Sequence, residues 1–300
     1  MTLPITVIGG YLGAGKTSLV NHLLRHADGL RLAVLVNEFG ALPIDEDLIE
    51  ATDDDIISIA GGCVCCSYGS DLTLGLVKMA EREPLPDQIL LEASGVAIPG
   101  AIAASLSLLQ GFSLDGILVL VNAETIREQA EDTYVGDTVQ RQLADADLVV
   151  LNKCDLVSES ELAAVRSWLD QHCPASGLVD AEHGAVPREV VLQGLVRELR
   201  SGLANPTVAS HAFETRAFEM QSPVDAETLG HALADPALGI VRSKGFVKDE
   251  QGGLIEIQTV GRRWDCRPAE ESKTPGLVVI GPGARIDVAA VEQAIAAAYI

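Results

Sequence analysis

Basic side chains are scarce in this sequence: 21 Lys and Arg stand against 43 Asp and Glu, a formal charge of −22 over 300 residues. A surface so acidic repels a phosphate backbone, which excludes nucleic acid as a main partner. Long hydrophobic runs are missing too. Stretches such as Ile117 to Val121 and Leu277 to Ile280 fall far short of the roughly 18 apolar residues that a membrane helix needs, so no membrane partner is expected. The opening MTLPITVIGG has neither a basic flank nor a cleavage site, and a cytoplasmic location is the expectation. Cysteine is sparse, six in all, too few for a disulfide scaffold in a chain this long. Aromatic residues amount to 4%, and no internal repeat or low-complexity tract points to a solenoid or a linker-rich scaffold.

What is abundant is apolar side chain, 48% of the total, enough for one large or two ordinary domains. Short runs of Val, Ile and Leu recur at Ile5 to Ile8, Leu32 to Val36, Gln88 to Leu91, Ile117 to Val121 and Leu148 to Leu151. They lack polar alternation and are spaced by segments of helical length, the pattern of a parallel sheet covered on both faces. The expected fold is a doubly wound α/β domain with helices over Lys16 to Arg25, Leu72 to Glu83, Pro99 to Leu109, Val139 to Ala144, Ser160 to Gln171 and Arg188 to Leu199. The run SGLANPTVAS, Ser201 to Ser210, breaks the pattern and marks a boundary between domains at 1–204 and 205–300. Beyond it, strands at Ala212 to Phe218, Ile240 to Val247, Leu254 to Val260 and Leu277 to Ile280, with helices at Ala226 to Ala234 and Val288 to Ala298, predict a smaller α+β unit.

Gly10-Tyr-Leu-Gly-Ala-Gly-Lys-Thr17 follows the first strand and opens the first helix, the context that a phosphate-binding loop requires. Gly10, Gly13, Ala14 and Gly15 let successive N–H groups point inward, and the helix N-terminus, including Ser18, adds partial positive charge. Lys16 is expected to neutralise β and γ phosphates and Thr17 to coordinate Mg²⁺. Leu90-Leu91-Glu92-Ala93-Ser94-Gly95 supplies the next requirement: Glu92 at a strand end near the Mg²⁺, and a Gly95 N–H toward the γ phosphate. We group Lys16, Thr17 and Glu92 as the catalytic set.

Asn152-Lys153-Cys154-Asp155 follows a later strand, at the edge where ligands of open α/β sheets meet loops. A carboxylate at Asp155 accepts from both N1–H and the 2-amino group of guanine, whereas adenine lacks that donor pair. At about 1.5–3 kcal/mol per charge-assisted bond the preference is for GTP. Lys153 would lie along the base and Asn152 would tie this loop to the phosphate loop. An ATP-dependent kinase is the alternative, without a recognisable acceptor pocket.

Half of the cysteines sit together, in Gly61-Gly62-Cys63-Val64-Cys65-Cys66. Soft thiolates favour Zn²⁺ or Cu⁺ over Mg²⁺, and a compact group without a second pair leaves a coordination position open for transfer. A buried apolar cluster or a redox site are the competing readings. Glu38, in Asn37-Glu38-Phe39-Gly40, is the candidate fourth ligand. Residues 44 to 55, IDEDLIEATDDD, read as a solvated acidic face in which Asp45 could reach Mg²⁺. Cys154, Cys173 and Cys266 read as packing residues. The six histidines are scattered, with His22 and His26 sharing one helix face.

The ordered set GGYLGAGKT, NEFG, GGCVCC, EASG and NKCD, with RSKGFV at Arg242 to Val247, resembles the CobW-type GTPases, metallochaperones related to the urease and hydrogenase nickel-insertion GTPases. The resemblance implies a phosphate-loop GTPase with a smaller C-terminal domain that hydrolyses GTP to deliver zinc or cobalt to a client metalloprotein, with room for a homodimer. It maps Lys16 and Thr17 to phosphate and Mg²⁺, Asn152 and Asp155 to guanine, and Cys63, Cys65, Cys66 and Glu38 to the transferred metal. Ala41 stands where family members often carry Glu after NEFG, and the histidine-rich stretch of many members is missing. No arginine finger or positioned glutamine is evident, so slow intrinsic turnover is expected. A nucleotide-responsive metal sensor or buffer is the alternative function.

Overall fold

A computed structural model describes residues 2–39, 56–61, 68–173, 176–192, 213–220, 222–269, 273–282 and 285–300. Two compact units divide the chain, Met1–Pro174 with Asp180–Val186, and Ala175–Val179 with Pro187–Ile300. The expected boundary at 204/205 lies outside the described residues.

The first unit is built on β1 (Leu3–Gly9), α1 (Lys16–Arg25), β2 (Leu32–Phe39), β3 (Ile56–Gly61), α2 (Tyr68–Ala80), β4 (Gln88–Glu92), α3 (Pro99–Leu106) and β5 (Phe112–Asn122). It continues through α4 (Ile126–Glu131), α5 (Gly136–Asp145), β6 (Leu148–Asn152) and α6 (Glu159–His172). With β7 (Gly177–Asp180) the sheet order is β3-β2-β4-β1-β5-β6-β7. The described ladders among β1 to β6 run parallel. Every residue of β1, β4 and β6 is buried, because helices cover both faces of the sheet. That explains why these strands read as unbroken apolar runs rather than alternating ones. A parallel sheet with β1 between β4 and β5 brings the carboxyl ends of β1, β4, β5 and β6 to one edge.

Three strands lie beyond those expected. β7 has only four residues, and the apolar run of β3 is interrupted by Ser58 and follows directly on the acidic residues 53–55, so neither stood out. β11 (Arg263–Pro268) is a polar strand at the edge of an antiparallel sheet, where a half-exposed pattern replaces the apolar run. The helix expected over Leu72 to Glu83 begins earlier, at Tyr68. That expected over Arg188 to Leu199 is described as α7 (Arg188–Val191), closing on Leu192.

In the second unit, β8 (Phe213–Phe218), β9 (Arg242–Lys248), β10 (Leu254–Val260), β11 and β12 (Gly276–Pro282) form a five-stranded sheet of order β11-β10-β9-β12-β8, antiparallel throughout. Its core joins Val247, Ile257, Leu277 and Val279 to Leu229 and Leu233 of α8 (Ala226–Leu233) and to Val291 and Ile295 of α9 (Val288–Ala298). Gly230 permits the close approach: a Cβ there would stand 2.9 Å from the Trp264 ring. Arg242 is 1% exposed and donates through Nη1 to the carbonyls of Val190 (3.2 Å) and Val191 (3.1 Å), while Lys244 pairs with Glu256 at 2.9 Å. These buried cations hold the sheet's second face.

Candidate functional site

The loop between β1 and α1 curls because its glycines take conformations closed to other residues. Gly10, Gly13 and Gly15 have φ of 130°, 76° and 101°. Room matters as much: a Cβ on Gly10 would meet the Leu120 carbonyl oxygen at 2.3 Å, and one on Gly15 the Asn152 amide nitrogen at 2.2 Å. α1 starts without a side-chain cap and without an acid in its first turn. Its N-terminus therefore keeps a positive end suited to an anion. Lys16 is buried against the same loop, donating through Nζ to Gly10 O at 3.0 Å and Tyr11 O at 3.5 Å.

Thr17 and Glu92 come together from different elements. The Thr17 hydroxyl donates to Glu92 Oε1 at 2.9 Å, linking the start of α1 to the end of β4. A hydroxyl and a carboxylate oxygen adjoining a phosphate loop are the hard donors that Mg²⁺ takes. After β4, Gly95 lies against Leu12 so closely that a Cβ would fall 2.5 Å from its side chain. Gln142 of α5 fixes this second loop by donating to Gly95 O at 3.1 Å and Ala97 O at 2.8 Å. Ser18 is exposed and Ala14 buried.

Asn152 ends β6, 1% exposed, with both ends of its amide in use. Nδ2 donates to Ala14 O at 2.9 Å, and Oδ1 accepts from Gly184 N at 2.9 Å. The expected tie between the Asn152 loop and the phosphate loop is thus made, and a third segment joins it. Lys153 follows at φ 63° and caps a 3-10 turn, Cys154–Leu156, that presents Asp155. Burial pushes the Cys154 thiol up to about 11, against the Ala181 backbone bond that favours the thiolate. It packs as a neutral thiol beside Leu151 O.

The segment Ala181 to Val186 escaped the sequence reading. Gly184 turns at φ 72°, where a Cβ would fall 2.6 Å from the backbone nitrogen of Leu19, and so lets this segment press on α1. His183, at φ 53°, puts Nε2 3.8 Å from Asp155 Oδ2. A glycine just after a short strand downstream of Asn152-Lys153-Cys154-Asp155 was the available signal.

Cys63, Cys65, Cys66 and Asp45 lie outside the described residues. Glu38 is placed in β2, opposite Ala60 of β3, and its side chain is likewise outside them.

Residues 4–179 match the model of the CobW/HypB/UreG nucleotide-binding domain. The chain belongs to that family. Residues 213–299 match the cobalamin synthesis protein cobW C-terminal domain, so the chain carries the two-domain CobW arrangement in order. The chain is 32% identical over 346 aligned positions to the zinc chaperone CobW of Sinorhizobium sp, covering 98% of this chain and 97% of that protein. It is 29% identical to the zinc chaperone CobW of Pseudomonas aeruginosa, over 93% of this chain and 87% of that one. It is 27% identical to the zinc-regulated GTPase metalloprotein activator 1 of Dictyostelium discoideum, over 81% and 62%. As a CobW-type member with this loop, the chain is a GTPase.

Proposed function

We propose that this GTPase is a zinc metallochaperone that takes up the ion at the Cys63, Cys65, Cys66 loop, with Glu38 as a further ligand, and releases it to a client metalloprotein as GTP is hydrolysed. The observation that carries the reading is the Asn152 amide, which clamps the phosphate loop to the segment bearing Asp155 and Gly184. One rigid edge then holds both ends of a nucleotide. Asp155 reads guanine through its N1–H and 2-amino group, with Lys153 along the base. Lys16, the amides of Gly13, Ala14 and Gly15, and the helix N-terminus stabilise charge on the phosphates, work that is mostly positioning and electrostatics. The Gly95 N–H faces the γ phosphate. Thr17 and Glu92, with Asp45, would hold Mg²⁺, which when bound neutralises charge shared by the β and γ phosphates. Zinc is the cargo favoured by the names of the relatives, and cobalt shares the same soft-ligand chemistry.

Coupling is part of the proposal: Glu38 in β2 precedes the stretch in which Asp45 would reach Mg²⁺, and the cysteines follow β3. A ligand that distinguishes two nucleotide states must itself bind with two affinities. The test is zinc affinity of the reduced protein, wild type and Cys65→Ser, each with a non-hydrolysable GTP analogue and with GDP. The expected result is a wild-type affinity that differs at least about fivefold between nucleotides, the lower end of ordinary coupling, and a loss in Cys65→Ser. Equal affinity in all four samples overturns the proposal. Zinc reaching an acceptor without hydrolysis would indicate a sensor or buffer instead.

A further inference from the structure

We propose that Gln142 and Asp145 of α5 are positioning residues for GTP hydrolysis, holding the turn after Glu92 so that the Gly95 amide stays where the γ phosphate must be met. The proposal rests on the reading above in which the Gly95 N–H faces that phosphate. Residues 94–97 form a tight turn, closed by Ala97 N donating to Ser94 O at 3.0 Å, with a longer contact from Val96 N to Ser94 Oγ at 3.4 Å. At its centre stands a glycine, which by itself leaves the adjoining peptide planes free to swing. A side chain that would restrain them is excluded by Leu12. The restraint has to come from outside the turn.

Gln142 supplies it. The residue is 1% exposed, and Nε2, which carries two hydrogens, donates to Gly95 O at 3.1 Å and to Ala97 O at 2.8 Å. Among the described residues, these two bonds are what ties residues 94–97 to another element by hydrogen bonding. Three residues on, along the same face of α5, Asp145 Oδ2 accepts from Gly100 N at 2.8 Å and fixes the first turn of α3. One helix face thus grips the segment at both ends. A face that only filled space would carry apolar side chains, as α5 does at Val139 and Leu143.

The mount is itself held. Gln140 donates to Ala130 O at 2.7 Å, and just after α5 the Asp147 N bonds to Ile117 O and the Asp147 Oδ2 accepts from Ile117 N, both at 2.9 Å. β6 begins at the next residue and ends in Asn152, so the frame that carries the guanine loop also carries the turn facing the γ phosphate. A donor aimed at developing charge contributes only when it is in place beforehand, and a displacement of about 1 Å can cost about a hundredfold in rate. GDP makes no use of a group that faces the γ phosphate, so its binding should not depend on this brace.

The experiment measures steady-state GTP hydrolysis, GDP affinity and the Gly95 amide resonance in the full chain, as wild type, Gln142→Met, Asp145→Ala and Asp145→Asn. Gln142→Met keeps length and burial but donates nothing. The expected result is a kcat lower by about tenfold or more, with KM and GDP affinity within about twofold of wild type. Asp145→Ala should lower kcat in the same way, and Asp145→Asn, whose amide oxygen still accepts from Gly100 N, should restore it. The wild-type Gly95 resonance should move when a non-hydrolysable GTP analogue replaces GDP, and move less in Gln142→Met. A wild-type Gly95 amide indifferent to the γ phosphate overturns the reading of Gly95 and this proposal with it. A responsive Gly95 with an unchanged kcat in Gln142→Met overturns the proposal alone, and so does an equal loss of kcat and GDP affinity, the mark of a packing role. Should Gln142→Met fail to fold, the Asp145 pair decides: Asp145→Ala at the wild-type kcat, or Asp145→Asn no better than Asp145→Ala, overturns it.

Discussion

Asn152 decides more at this site than its size suggests. Its Nδ2 and Oδ1 satisfy Ala14 O and Gly184 N, two backbone groups that no water can reach once the amide is in place. Asn152→Ala leaves both without that partner, and each buried orphan costs about 1–3 kcal/mol. The expected outcome is a lower thermal midpoint without ligand together with weaker GTP-analogue binding, read by calorimetry on one preparation. A variant that melts like wild type would mean that the clamp does not join these loops. At this scale the sequence was informative where a motif fixes residue type and spacing together, as in Gly10 to Thr17 and Asn152 to Asp155. It was silent on Gly184 and Gln142, because a backbone donor and a bridging amide need only the right place, and no local pattern announces that.

Elements were legible in proportion to their burial. The two-face-buried strands β1, β4 and β6 declared themselves through apolar runs, and α6, expected over Ser160 to Gln171, starts one residue earlier behind a capping box in which Ser158 and Glu161 bond each other's backbone. β11 did not, since an edge strand such as Arg-Trp-Asp-Cys-Arg-Pro satisfies its sheet with little apolar content. Helix starts also carry a pH signature. The α8 cap, Asp225, accepts from Glu227 N at 3.1 Å and Thr228 N at 3.0 Å, and the Thr228 backbone bond leads the causes that hold its carboxyl below the ordinary value. A depressed native value means that the ionised form stabilises the fold. That contribution is present above the ordinary aspartate range and disappears as pH falls through the lower native value. Asp225→Ala should therefore destabilise the chain at neutral pH, with the gap from wild type closing in acid. Urea midpoints measured at pH 7 and at successively lower pH check the sign, and a gap that widens in acid would contradict it.

For the whole molecule the dominant quantity is charge. A net −22 sets up opposite fields for the two substrates of the proposed cycle: it attracts a metal cation and repels an anionic nucleotide. Raising ionic strength from about 0.01 to about 0.15 M shortens the screening length from about 30 to about 8 Å. Association of Zn²⁺ should slow over that range while association of a fluorescent GTP analogue accelerates, both followed by stopped flow. Association rates that do not change with salt for either ligand would place the local potential of both sites near zero and overturn the expectation. The change from a parallel to an antiparallel sheet was legible in the sequence, since crossover helices leave long spacers and hairpins do not.

The Asn152 amide also has a chemical vulnerability that its surroundings suppress. Loss of its ammonia would replace the nitrogen facing Ala14 O with an oxygen, turning a strut into a wedge that pushes the two loops apart. Held at both ends and shielded from solvent, the side chain is protected from that ageing reaction for as long as this corner of the sheet stays closed.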